Sequence, residues 1–246
     1  MSKFLWEYLS EQQRTVEDSV ARDKGRAEEI FNSLIPHAKN VILDPAQFKS
    51  MRAPRRSSKS YTETAYALMT GESKPGARVL IIGLTLKSAK ENFWNSAPGG
   101  VQAFDTRFGT GLTFSYQDIS WKHQNGSLGF LAGAGSADDL EKLRGSKVEA
   151  DLIIIDECKS FSPDRLRELI TEILMPGLMT RGGTLLLAGT PGSICSGVFY
   201  EATCPVSRFK DKTPTCIPWD RRETPEYAEF VNLPEEDETR WSHHAW

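Results

Sequence analysis

Apolar positions along the 246-residue chain follow two patterns. From residue 3 to residue 37 they recur at helical spacing between polar residues, which predicts a helical segment. From about residue 47 onward, short apolar runs alternate with stretches of helical periodicity. Arg78–Gly83, Leu152–Ile155 and Thr184–Ala188 have almost no polar face, as is typical of buried parallel strands. Such strands, separated by helices, predict an α/β fold with a mostly parallel central sheet flanked by helices.

Weaker signals predict the remaining elements of the core. Gln47–Arg52 has the pattern of a strand, and the apolar stripe of Ser60–Thr70 predicts a helix that Gly71 ends. Leu86–Asn95 is a predicted helix, and Ser136–Leu143 is another, with its first serine as N-cap. These assignments place strands and helices in alternation across the middle of the chain.

Residues 112–132 interrupt that alternation. Leu112–Tyr116 and Ile119–His123 are strand-like, and the dipeptide Asn125-Gly126 favours a tight hairpin turn before an apolar return strand. We therefore expect an antiparallel hairpin insert. The whole pattern divides the chain into a helical lid (residues 1–40), a core (residues 41–205) and a C-terminal segment (residues 206–246).

Composition and charge exclude several classes of protein. Apolar residues make up 39% and charged residues 26%, as in an ordinary folded domain. Thirty Lys+Arg against 33 Asp+Glu give a net charge of -3, so a nucleic-acid interface would have to be a local basic patch. Apolar runs are too short for a membrane span, and the N-terminus turns polar too soon for a secretory signal. The four cysteines lack zinc-binding spacing, and we expect them to be reduced.

A basic segment between a predicted strand and helix carries the first candidate chemistry. It is a degenerate Walker A motif, GxxxxGK[ST], in which Ala53 and Ser58 replace the glycines. In such a loop, backbone N–H groups cradle phosphates, Lys59 reaches the β- and γ-phosphates, and Ser60 ligates Mg²⁺. Taken alone the motif is weak, because a solvated basic loop has the same composition. The candidate nucleotide-binding residues are Ala53, Pro54, Arg55, Arg56, Ser57, Ser58, Lys59 and Ser60.

Two carboxylates follow the buried strand at Leu152–Ile155, as in a Walker B motif. Ligands bind at the carboxyl ends of strands in open α/β sheets, so Asp156 is expected to hold Mg²⁺ and Glu157 to deprotonate the attacking water. The alternative is that this acid pair caps the next helix. Thr190 follows another buried strand and would sense the γ-phosphate, unless its turn is an ordinary loop. Arg55 and Arg56 add positive charge to the loop, and one of them, with Arg56 as the candidate catalytic residue, would contact the γ-phosphate from the same chain. The alternative is that both are ordinary surface arginines.

These motifs, in this order, resemble the ATPase (motor) domain of the terminase large subunit, the DNA-packaging enzyme of tailed bacteriophages. The loop at Arg52–Ser60, the acidic strand ending in Asp156-Glu157 and the turn Ala188–Pro191 all look like motifs of that family. The hairpin turn at Asn125–Ser127 and the segment Leu143–Ser146 add to the resemblance, which spans roughly residues 44–200. The sequence departs from the family's pattern at both replaced glycines of the loop at residues 53–60, which we call the phosphate loop.

The resemblance implies a P-loop core of the ASCE or RecA-like type that hydrolyses ATP with Mg²⁺ and drives double-stranded DNA into a capsid. It also implies a portal protein and a terminase small subunit as partners, a homo-oligomeric ring, and no membrane. The implied location is the cytoplasm of the bacterial host, with transient docking at the procapsid. By the same resemblance, Arg144 is a trans-acting arginine finger and Gln47 contacts adenine. The residues around Arg144 allow a plainer interpretation, a cation at a helix C-terminus.

The family's large subunits normally continue into a nuclease domain. No strand-placed set of carboxylates follows Asp156 and Glu157, so nuclease activity is not expected from this chain. Residues 206–246 would then be a lid, or a linker toward an absent nuclease domain. Two other functions share these motifs: a helicase-like DNA translocase, and a nucleotide-binding regulatory module without turnover, which the replaced glycines favour.

Overall fold

A computed structural model describes residues 25–145, 148–190, 198–203 and 241–246. The strands are β1 (Phe48–Arg52), β2 (Arg78–Gly83), β3 (Thr113–Ser115), β4 (Ser120–Lys122), β5 (Leu128–Gly133), β6 (Leu152–Ile155), β7 (Thr184–Gly189) and β8 (Trp241–Ala245). The helices are α1 (residues 25–32), α2 (Pro36–Leu43), α3 (Lys59–Ser73), α4 (Leu86–Ala89), α5 (Val101–Phe108), α6 (Ala137–Gly145), α7 (Pro163–Glu168), α8 (Met175–Arg181) and α9 (Val198–Thr203). Single π-helical turns extend α4 over Lys90–Trp94 and join α7 to α8 over Leu169–Leu174.

The described strands form one sheet in the order β3-β4-β5-β2-β6-β7-β1-β8. In this order, every neighbouring pair from β5 through β2, β6, β7 and β1 to β8 is parallel. The β3, β4 and β5 strands form an antiparallel meander at one side. The α/β prediction with a mostly parallel sheet and an antiparallel insert is thereby confirmed.

Two apolar layers cover the two faces of this sheet. On β2, Val79 and Ile81 pack with helices α1, α2, α3 and α5, whereas Leu80 and Ile82 pack with α6, α7 and α8. Successive side chains of a strand point to opposite faces, so a strand covered on both sides must be apolar throughout. This double burial explains the continuous apolar runs of the central strands.

The strand order brings three chain segments to one place. Strand β7 lies between β1 and β6, and all three are parallel. Their carboxyl ends therefore share one edge of the sheet, which we call the carboxyl edge; the opposite one is the amino edge. The phosphate loop follows β1, the Asp156-Glu157 pair follows β6, and Thr190 follows β7.

The structure corrects two sequence predictions about helices. The predicted helix over residues 3–37 is broken in its described part, because Pro36 begins the separate helix α2. Gly71 does not end α3, which continues to Ser73. A Cβ at Gly71 would lie 2.2 Å from Nε2 of His123, so this glycine serves close packing between the helix and the hairpin.

Other predictions lie outside the described residues. They concern residues 3–24, the turn residue Pro191, Ser146, residues 206–240 of the C-terminal segment, and Cys195, Cys204 and Cys216. The fourth cysteine, Cys158, is a buried free thiol. None of the helices in the described ranges has the length and hydropathy that crossing a membrane requires.

Candidate functional site

The phosphate loop extends the parallel ladder of the sheet by one bond. The N–H of Ala53 donates to the carbonyl of Gly189, at 3.1 Å, and Ala53 is fully buried. Pro54 has no N–H, so the backbone donors still open to an anion begin at Arg55. The Ser57 hydroxyl donates to the Pro54 carbonyl at 2.6 Å, which closes the turn.

Ser58 reproduces the backbone shape for which glycine is normally used. Its φ of 65° and ψ of 19° are left-handed, and it stands directly before the first residue of α3. Arg56 is left-handed as well, with φ 64°. A non-glycine residue in this region costs on the order of 1 kcal/mol, so the surrounding loop must hold these conformations. Ser58 thus adopts a left-handed conformation that glycine takes at no steric cost.

Lys59 joins the two motifs that are separated by 97 residues. Its ammonium donates to Oδ1 of Asp156, lies 3.2 Å from Oε1 of Glu157, and lies 3.9 Å from Oε1 of Glu63 on its own helix. Lys59, Glu63 and Asp156 are buried, while the Glu157 side chain is 36% exposed. The sheet order thus brings together the lysine of the phosphate loop and the acid pair of β6.

The charges in this cluster do not balance. One ammonium faces three carboxyl groups, and among the described residues neither oxygen of Glu63 has a hydrogen-bond partner. Burial, reinforced by Asp156, raises the pKa of Glu63 well above its ordinary value. Burial alone would lower the pKa of Lys59, but the facing Glu63 and Asp156 carboxylates raise it above its ordinary value. The lysine is therefore charged, and the cluster has room for further positive charge.

The backbone after β6 aims both acids at Lys59. Glu157 is left-handed, with φ 51° and ψ 41°, and its N–H donates to Oδ1 of Asp156 at 2.7 Å. This bend cancels the alternation of side chains that a continuing strand would impose. Asn92, in the π-helical turn after α4, donates to Oδ2 of Asp156 at 3.3 Å. Both oxygens of Asp156 are thus oriented by other groups.

The oxygen donors at this edge fit Mg²⁺. Ser60 is the second residue of α3, and its hydroxyl makes no hydrogen bond to any described residue. The Asp156 carboxylate belongs to the acidic cluster. Magnesium prefers oxygen ligands and is usually held by one or two protein groups together with substrate phosphates and water. The described ranges contain no cluster of three or more His, Cys, Asp or Glu that could hold a metal ion by themselves.

The remaining predicted residues fall into two groups. Thr190, half-buried, follows Gly189 and therefore lies beside the start of the phosphate loop; Arg55 and Arg56 lie exposed on that loop. Gln47 is not brought there, because it precedes β1 at the amino edge. At about 3.3 Å per residue, the strand separates Gln47 from the loop by roughly 20 Å.

Arg144 is also remote from Lys59 within one chain. It lies in the last turn of α6, which leaves the carboxyl edge after β5 and leads back to the start of β6. Its guanidinium contacts Glu141 and lies 3.1 Å from Glu168 and 3.6 Å from Glu172, and its side chain is 41% exposed. The structure thus places it on the surface, away from its own phosphate loop.

Four residues near the site escaped the sequence analysis: Glu63, Asn92, His37 and Trp246. The spacing Lys59-x-x-x-Glu63 was a usable signal, because residues four apart share one helix face. The other three are brought to the site by elements distant in sequence. The indole N–H of Trp246 donates to the Ser57 carbonyl at 2.8 Å, and its ring stacks on that of His37, with centroids 6.0 Å apart and planes 8° from parallel.

Comparisons with known proteins bear on the fold. No protein-family model matches the sequence, and no curated protein matches it. The ATPase domain of the large terminase of Thermus phage P74-26 superposes with a TM-score of 0.56, at 19% identity, over 72% of each chain. The chain has the fold of a large-terminase ATPase domain. An arginine mutant of the same phage domain gives a TM-score of 0.55 at 20% identity, again over 72% of each chain.

A large terminase from a thermophilic bacteriophage overlaps more loosely, with a TM-score of 0.49 at 9% identity, over 63% of this chain and 39% of that one. The terminase ATPase fold confirms, at the level of architecture, the resemblance that the motifs carry. At these identities the likeness extends to the fold, and the roles of individual residues must be argued from the site itself.

Proposed function

We propose that this chain is the ATP-hydrolysing motor domain of a viral DNA-packaging terminase, which couples hydrolysis to translocation of double-stranded DNA into a capsid. The observation that carries the proposal is the contact of Lys59 with Asp156 and Glu157, which joins a phosphate loop to an acid pair at one edge of a parallel sheet. The fold shared with a large-terminase ATPase domain supports it.

The chemistry asked of this site is mainly positioning and charge stabilisation, because phosphoryl transfer passes through a loose transition state. Lys59 would exchange its carboxylate contacts for the β- and γ-phosphates. Ser60 and Asp156 would hold Mg²⁺, which supplies neutralisation of the phosphate charge when bound. Glu157, the most exposed of the three acids, would orient the attacking water and accept its proton. Arg56 lies on the loop itself and would approach the γ-phosphate from outside.

Two further roles extend beyond a single nucleotide site. Thr190 would couple loss of the γ-phosphate to motion, since its strand is bonded to the start of the phosphate loop. Arg144 would act in trans on the ATP of a neighbouring subunit in a ring, a position compatible with its exposure and its distance from its own loop. The proposed partners are double-stranded DNA, a portal protein and a terminase small subunit.

Replacing Glu157 by glutamine tests the hydrolytic role. We expect Glu157→Gln to bind ATP as tightly as the unmutated chain and to release phosphate about 10²- to 10⁴-fold more slowly, because the general base is lost. Glu28→Gln, an exposed change on α1, is the matched control. Phosphate release and nucleotide binding are measured side by side. Undiminished hydrolysis by Glu157→Gln would contradict this assignment.

The coupling of hydrolysis to DNA is tested by measuring ATP hydrolysis with DNA present. Double-stranded DNA should raise the rate of ATP hydrolysis, and the increase should fall steeply with salt, because binding to phosphates releases counterions. A chain that binds ATP yet shows no turnover with DNA and packaging partners would instead be a nucleotide-binding regulatory module.

A further inference from the structure

We infer that Trp246 and His37 form a stacking platform for the base of the nucleoside triphosphate, next to the phosphate loop. The inference rests on the proposed function, since it needs a nucleotide whose phosphates lie on that loop. It assigns a base-binding role to two residues that the sequence motifs do not include, and it takes the place of the adenine contact expected from Gln47.

The sheet order places Trp246 at the site. Strand β8 pairs with β1 in parallel, with Arg52 opposite Ala245, so the residue after β8 reaches the same edge as the phosphate loop. There the Trp246 indole N–H donates to the carbonyl of Ser57, at 2.8 Å. His37, in the first turn of α2, lies over the indole with its ring 8° from parallel.

The hydrogen bond allows the platform and the phosphate cradle to work together. A carbonyl oxygen repels an anion, so the Ser57 carbonyl is the part of that peptide that a phosphate does not approach. The indole donor uses this carbonyl and leaves the N–H groups of the loop open. Trp246 is thereby fixed to the loop at the polar tip of its ring, without competing for the donors that a phosphate needs.

The exposure of the two rings argues for a ligand. Trp246 is half-buried and packs against the apolar layer, whereas His37 is exposed. Burial explains the position of the indole, but it does not explain an exposed imidazole held parallel to it. A base can stack on the open face of His37, in the offset arrangement that aromatic rings prefer. A stacked base contributes about 1–3 kcal/mol to binding, which corresponds to roughly 5- to 150-fold in affinity.

The test separates base binding from phosphate binding. Affinities for ATP and for inorganic tripolyphosphate are measured by calorimetry on the unmutated chain and on Trp246→Ala, Trp246→Phe and His37→Ala. We expect Trp246→Ala and His37→Ala to weaken ATP binding, by roughly 5- to 150-fold for the tryptophan. Binding of tripolyphosphate should stay unchanged in both, and Trp246→Phe should retain most of the ATP affinity. Tyr116→Ala, an exposed aromatic on the β3–β4 side of the sheet, is the control.

The outcomes are distinguishable. Equal losses for ATP and tripolyphosphate would show that Trp246 only shapes the loop, and unchanged ATP affinity in Trp246→Ala and His37→Ala would show that no base stacks there; either result overturns the platform while the phosphate site stands. If the unmutated chain binds neither ligand, the proposed function fails and the platform with it. Should Trp246→Ala fail to fold, the exposed His37→Ala decides the question, with unchanged ATP binding overturning the inference.

Discussion

Two lysine–aspartate pairs lie at opposite ends of the same helix and strand, and their surroundings differ. Lys59 begins α3 and meets Asp156, just after β6, at the carboxyl edge. Lys74 follows α3 and meets Asp151, just before β6, at the amino edge. The two pairs share their supporting elements, so differences between them reflect their immediate surroundings.

At the amino edge the charges are satisfied. Asp151 accepts hydrogen bonds from Lys74, from Nε of Arg181 at 2.9 Å and from the N–H of Arg78 at 2.8 Å. Burial opposes ionisation, but the hydrogen bonds from Arg181 and Lys74 hold the pKa of Asp151 below its ordinary value. Two cations therefore meet one carboxylate there, and the cluster stabilises the fold.

At the carboxyl edge the ratio of cations to carboxyl groups is reversed. One cation meets three carboxyl groups, and Ser58 and Glu157 have left-handed backbones. Unsatisfied charge and strained backbone cost stability and persist where a ligand is to be bound. On this basis we assign the Lys59–Asp156 pair to the proposed nucleotide site and the Lys74–Asp151 pair to the stability of the fold.

Between the two edges, the largest expected difference is in activity, and it comes from replacing one lysine or the other. Lys59→Ala should lower the rate of ATP hydrolysis by on the order of 10²–10³, the usual cost of removing one charge-stabilising donor. Lys74→Ala should leave the rate close to that of the unmutated chain, because Lys74 contacts the amino edge only. Steady-state phosphate release measures both, and a comparable loss from Lys74→Ala would break the distinction between the two edges.

The two aspartates should separate stability from activity. Asp151→Asn should lower the free energy of unfolding by about 1–2 kcal/mol, because charge-assisted hydrogen bonds to partly exposed partners are lost. Asp156→Asn removes one charge from an acidic surplus, so the apparent melting temperature should stay level or rise while hydrolysis is lost. Thermal unfolding without nucleotide compares the variants; a larger destabilisation by Asp156→Asn than by Asp151→Asn is the contrary result.

Glu63 gives the comparison a pH dependence. Burial, with Asp156 nearby, raises the pKa of Glu63 in the folded chain, so its stabilising contribution is complete below the unfolded value of about 4.5 and is lost as the pH rises. Glu63→Gln keeps the shape without the titration. The free energy of unfolding of Glu63→Gln, relative to that of the unmutated chain, should therefore increase from pH 5 to pH 8. The slope of this increase is at most about 1.4 kcal/mol per pH unit.

Asp151 has the opposite sign, since its folded pKa is lowered: its contribution is present above the unfolded value and is lost as the pH falls through the folded one. The cost of Asp151→Asn should consequently stay level from pH 5 to pH 8. Chemical denaturation at both pH values measures both variants, and parallel behaviour of Glu63→Gln and Asp151→Asn would refute the assignment.

The smallest expected effects concern the backbone. Gly76, in the turn at the amino edge, has φ +70° and open space where a Cβ would lie, so Gly76→Ser should cost about 1 kcal/mol from conformation alone. Ser58→Gly should leave stability unchanged or raise it by a few tenths of a kcal/mol, because relief of strain is offset by the greater freedom of unfolded glycine. Denaturant midpoints of the two variants provide the measurement; destabilisation by Ser58→Gly would mean that the serine side chain is needed.

Much of the fold could be predicted because the central strands are buried on both faces. That burial produces continuous apolar runs such as Leu152–Ile155, and the acid pair after that run indicates the carboxyl edge. The contact of Lys59 with Asp156 followed from the rule that ligands bind at strand ends. The order of the strands was not visible, because periodicity describes one element at a time.

The missed features depend on neighbours that a single segment does not reveal. The sequence predicted that Gly71 ends a helix, but glycine is needed there because a side chain would collide with His123 on the hairpin. Asn92 belongs to a π-helical turn, which has no sequence signature of its own. Gln47 lies at the amino end of β1, whereas the phosphate loop follows the carboxyl end. The resemblance gave no information on which end of the strand Gln47 occupies.

The position of β7 restricts how this molecule can move. It is bonded to β1 along five residue pairs and to β6 along four, and the Ala53–Gly189 bond adds one more rung. The phosphate loop and the acid pair cannot move apart without breaking the hydrogen bonds of both strand pairs. Each hydrogen bond that breaks costs about 1 kcal/mol of stability. A movement driven by ATP hydrolysis at this edge would therefore have to rotate β1, β7 and β6 together as one rigid body. The other possibility is that the turns following these strands change conformation while the strands stay in place.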